Sequence, residues 1–110
     1  MAYKIKNPKP KEKIESRDIY LEKLKEKLPH GSGINGDWNI YYDKKNIVAT
    51  NIYSAMNEAG YYDADIPFKL IIPKDNQANF KLHFDSNYQY YVKKYQLRDY
   101  LEETFAEALK

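Results

Sequence analysis

The spacing of apolar residues changes partway along the chain, and that change limits what it can fold into. Trp38, Ile40 and Tyr42 alternate with Asn39, Tyr41 and Asp43. Ile66, Phe68, Leu70 and Ile72 alternate with Pro67, Lys69 and Ile71, and Phe80, Leu82 and Phe84 with Lys81, His83 and Asp85. A period of two places every second side chain on one face of a strand. Residues 47–53 read as the partner of the first strand across a turn at Lys44-Lys45-Asn46, giving a hairpin over roughly residues 38–53. From Leu97 the interval becomes about four, through Leu101, Phe105 and Ala108/Leu109, with Arg98, Asp99, Glu102, Glu103 and Glu107 on the remaining surface. That is a helix with one apolar stripe. An earlier helix is expected from a cap at Ser16-Arg17-Asp18 to Leu28, with Tyr20, Leu21, Leu24 and Leu28 on one face and Pro29 as its stop.

The expected fold is therefore α+β, in the order α-β-β-β-β-α, with an antiparallel meander sheet covered on one face by two helices. Two points stay open. Ser86 or Asn87 caps the last helix, or else Tyr88, Tyr90, Tyr91 and Tyr95 extend the fourth strand. Pro67 has no N–H to give a ladder, so its strand lies at an edge or pairs only beyond residue 67.

A chain of 110 residues suits one domain. Lys4, Lys6, Lys9, Lys11 and Lys13 against Glu12, with Pro8 and Pro10, make residues 1–13 a basic tail, leaving residues 14–110 as the domain. The absence of cysteine excludes disulfides and thiolate metal sites and suits a reducing compartment, with the cytoplasm as the expected location. No stretch approaches the roughly 18 apolar residues of a membrane span. Eighteen Lys and Arg against 16 Asp and Glu give a net charge of +2, too little to imply nucleic acid by itself.

Two polar segments are read as irregular. Residues 29–37 hold three of the four glycines, and residues 54–63 contain Gly60. In the first, His30, Gly31, Ser32 and Gly33 bring together a histidine, a hydroxyl and flexible backbone. The spacing is wrong for a nucleophile elbow, and no Gly-Lys-Ser/Thr follows for a nucleotide loop. A helix cap and a sharp turn account for the glycines, and an anion nest is the functional alternative. Asp63 and Asp65, with Asp37, offer too few ligands for a metal, and each suits a turn. No catalytic residue, metal or cofactor is assigned. Twelve tyrosines beside one tryptophan suggest a contact surface, because tyrosine packs as an aromatic yet keeps a polar end. The candidate partner-binding residues are His30, Gly31, Ser32, Gly33, Asp37 and Trp38, then Asn57, Tyr61, Tyr62 and Asp63, then Tyr88, Tyr90 and Tyr91.

Residues 28–34 (LPHGSGI) with Asp37-Trp38, residues 55–63 (AMNEAGYYD), and residues 80–84 (FKLHF) with 97–102 (LRDYLE) together resemble small proteins of phages and mobile elements of Firmicutes and gut bacteria. The resemblance covers roughly residues 28–109 and implies an origin without a mechanism. Many such proteins inhibit host defence, anti-CRISPR proteins among them, by stoichiometric binding. It implies a non-enzymatic inhibitor, monomeric or homodimeric, whose partner is a host defence protein such as a CRISPR effector. A sponge for a nucleotide or cyclic nucleotide signal and a nucleic-acid-binding regulator are the alternatives.

Overall fold

Alternation across the middle of the chain becomes one four-stranded antiparallel sheet. The computed structural model describes residues 19–110. In them, helix α1 (residues 19–27) precedes β1 (Ile34–Asp43), β2 (Asn46–Met56), β3 (Tyr62–Pro73) and β4 (Lys81–Phe84). Helices α2 (Gln89–Lys94) and α3 (Leu97–Ala108) follow. Strand order is β1-β2-β3-β4, the expected meander. The cap at Ser16-Arg17-Asp18 and the basic tail lie outside the described residues. No helix among the described residues is long and apolar enough to cross a membrane.

The register explains which residues are buried. Tyr42 stands opposite Ile47 and Ile40 opposite Ala49, while Ile47, Ala49 and Tyr53 face Ile72, Leu70 and Ile66. Leu70 faces Leu82, and Phe68 faces Phe84. Cross-strand partners share a face, so this set forms one apolar layer. Leu24 and Leu28 at the α1 end and Leu101, Phe105 and Leu109 at the α3 end close over it. Phe105 is fully buried, with its ring 5.7 Å from Trp38, 5.7 Å from Phe68 and 6.5 Å from Phe80. A second, smaller cluster of Ala55, Ile66, Val92 and Leu97 fixes α2 and the start of α3.

Three expectations are corrected. Residues 29–37 are not wholly irregular: β1 begins at Ile34, opposite Tyr53, and carries a bulge between Asn35 and Asn39. Two extra residues there keep the side-chain alternation in phase, and the buried Asn51 serves the bulge, its Nδ2 donating to the Gly36 carbonyl at 3.4 Å while its Oδ1 accepts from Ile52 N at 2.7 Å. Residues 54–63 are not a long loop, because β2 runs on to Met56 and β3 starts at Tyr62. Pro67 sits in an inner strand, paired with Ile52 on one side. On the other side it lies one residue past the last pair with β4, Phe68 opposite Phe84, so its missing N–H leaves no gap in that ladder. The open question about the last tyrosines is settled as helix: a 3-10 turn (Ser86–Tyr88), with Asp85 accepting from Asn87 N at 2.9 Å, leads into α2.

Candidate functional site

Antiparallel pairing puts the start of β1, the end of β2 and the start of β3 at one end of the sheet, with Ile34 opposite Tyr53 and Met56 opposite Tyr62. The tight connection from β2 to β3 is built by Asn57. Its Oδ1 accepts from the N–H of Ala59 at 3.0 Å and of Tyr61 at 3.1 Å, while Gly60 supplies the left-handed residue at φ +87°. Asn57 is therefore occupied in shaping the turn. Beside it, Met56, Tyr61 and Tyr62 are 54, 71 and 68 % exposed.

Asp63 makes this end coherent. Ala55 pairs with Ala64 and Met56 with Tyr62, which leaves Asp63 as one extra residue in β3. A single-residue bulge reverses the alternation beyond it, so Tyr62 joins Met56 on the face away from the core. The Asp63 carboxylate is held by Lys94 Nζ at 2.7 Å and by the Tyr95 hydroxyl, which donates at 2.5 Å. The bonds from Lys94 and then Tyr95 hold the Asp63 carboxyl below its ordinary pKa, whereas the bond to Asp63 raises both Lys94 and Tyr95. Lys94 also lies 6.0 Å from the centre of the Tyr90 ring and 5.4 Å from that of Tyr95. Tyr90, 68 % exposed, meets Tyr91 edge to face at 5.1 Å. Tyr88 and Tyr91 are half-buried against the second core cluster and act as its cover.

The glycine segment borders the same end through Tyr53 and Tyr100. Gly31 N donates to Ile34 O at 3.2 Å, Ile34 N returns a bond at 3.0 Å, and Gly33 O accepts from Ser54 N at 2.7 Å. The Gly31 N–H is thus spent on closing a turn, which weakens the anion-nest reading. Tyr100 OH approaches the Ser32 carbonyl at 3.5 Å. His30 and Ser32 are exposed.

Two candidates fall elsewhere. Trp38 is 3 % exposed, stacked edgewise on Phe68 at 5.6 Å, with Nε1 donating to Pro29 O at 2.9 Å. Its ring is core and offers no face to a ligand, a correction to its place among the binding residues. Asp37 sits in the β1 bulge and, with Asn35, Thr50, Ile52, Lys69 and His83, lines a groove of about 740 Å³. Met56 was missed by sequence reasoning, as was the tie of Lys94 and Tyr95 to Asp63. Their only signal is proximity in sequence to tyrosine runs, and nothing local marks Asp63 as a bulge. Among the described residues no three His, Asp or Glu side chains converge to hold a metal ion. Comparison of the chain with family models, curated proteins and solved structures gave no match.

Proposed function

We propose that the chain is a non-enzymatic binding protein of a phage or mobile element, which inhibits a host defence protein by occupying it through the tyrosine-rich end of its sheet. The carrying observation is that Met56, Tyr61, Tyr62 and Tyr90, each more than half exposed, lie on elements tied to one another through Asp63, Lys94 and Tyr95. Tyrosine and methionine are enriched at protein interfaces, and tyrosine gives large contact area with few torsions to freeze. The Asn57 turn and the Asp63 contacts organise the surface before a partner arrives, which reduces the entropy lost on binding. The choice of a defence protein, a CRISPR effector in particular, rests on the resemblance of residues 28–109 to small mobile-element proteins. Titration of the purified chain into target cleavage by a reconstituted CRISPR effector tests it. Inhibition that saturates at stoichiometric chain supports the reading, and undiminished cleavage at large excess excludes that effector.

The groove of about 740 Å³ favours a second reading, a sponge for a small ligand such as a nucleotide, because its volume falls within the usual range for small-molecule sites. Native mass spectrometry of the chain purified from its host separates the two readings. A retained nucleotide supports the sponge.

A further inference from the structure

We infer that the cleft between α3 and the end of β2 receives an arginine side chain of the protein partner. This deepens the protein-binding reading above and rests on it. The cleft, about 440 Å³, is lined by Tyr53, Tyr95, Gln96, Asp99, Tyr100 and Glu103. It adjoins the tyrosine surface, because Tyr95 also holds Asp63.

The chain turns sharply here. Tyr95 caps the end of α2, and Gln96, in the left-handed conformation (φ 52°, ψ 44°), caps the start of α3, so two residues make the whole connection. Glu103, four residues after Asp99 and three after Tyr100, then neighbours both on the surface of α3. Across from them stands Tyr53, edge to face with Tyr100 at 6.2 Å and 73°. The Tyr53 ring is held against the backbone of Gly33, where an added Cβ would stand 2.4 Å from Cε2. Three tyrosine rings thus form the walls, and two carboxylates complete the lining.

The charge of this cleft is one-sided. Asp99 and Glu103 repel each other at a spacing of four on one helix, and among the described residues no lysine, arginine or histidine lines the cleft. Elsewhere on α3, Glu102 pairs with Arg98 at 3.7 Å, and just past the helix Lys110 pairs with Glu107 at 3.3 Å. Asp99 and Glu103 have no such partner among the described residues. Asp99, in the first turn, complements the positive end of α3, whereas Glu103 in the middle of the helix has no such role. A cation relieves the repulsion and gains the attraction of ring faces. A guanidinium fits better than an ammonium, since its plane stacks on tyrosine while its N–H fork meets carboxylates.

The test is an NMR titration of the full chain with N-acetyl-arginine amide, N-acetyl-lysine amide, N-acetyl-citrulline amide and spermidine. The expected result is shifts confined to Tyr53 and residues 95–103, strongest with the arginine probe and absent with neutral citrulline. The exposed double variant Asp99→Asn/Glu103→Gln should keep the parent spectrum elsewhere and bind arginine about tenfold more weakly. Equal shifts with citrulline, tighter binding of spermidine, or shifts spread evenly over Glu102 and Glu107 would each overturn the assignment. Because the probes need no partner, failure here leaves the protein-binding reading to its own test.

Discussion

At Gly33 the backbone sits at φ +101° and the space a Cβ needs is taken by the Tyr53 ring. Gly33→Ala should destabilise the fold by about 2–3 kcal/mol, from the left-handed backbone and the displaced ring together, measured by urea unfolding. Lys44, in the β1–β2 turn, holds φ 58° with a side chain that prefers other conformations. Lys44→Gly should raise stability by about 0.5–1 kcal/mol in the same assay, and a loss would show that the lysine itself stabilises the turn. The glycines were legible as backbone devices because no other residue suits such torsions. Trp38 was half legible: its alternation with Asn39 and Tyr41 marked a strand, but no local signal revealed that Phe68 and Phe105 enclose it.

Among the elements, α3 was the plainest to read because its apolar stripe at intervals of four matches its burial: Leu97, Leu101 and Phe105 are buried. Phe105 joins α3 to Trp38, Phe68 and Phe80, so Phe105→Ala should cost about 3–5 kcal/mol by denaturant titration. The β2–β3 hairpin was misread between residues 54 and 63 because the Asp63 bulge interrupts the period there, and a bulge is set by tertiary pairing. Its anchor to α2 should depend on pH. Asp63 is lowered from an ordinary 3.8, so its contribution is complete above that value and is lost as acid carries the pH down through the lowered one. Lys94 and Tyr95 are raised from 10.5 and 10.0, so their contribution is complete below 10.0 and is lost as alkali carries the pH up through the raised values. Near-ultraviolet circular dichroism of the tyrosines should be flat between these limits and change beyond them. Asp63→Asn should flatten the acid limb.

For the whole molecule, the meander covered on one face by helices was legible because short turns join antiparallel neighbours and both helices carry a single apolar stripe. Where the exposed tyrosines gather was not legible, since it depends on the register of β2 with β3 and on the bond of Asp63 to α2. The functional account depends on that end of the sheet being a preformed protein-binding surface. The triple variant Tyr61→Ala/Tyr62→Ala/Tyr90→Ala removes exposed rings only, so it should leave the thermal midpoint nearly unchanged. The most direct test is quantitative affinity capture from host lysate with the parent chain and this variant side by side. The account predicts one defence protein retained in stoichiometric amount by the parent and lost by the variant; equal retention by both would contradict it.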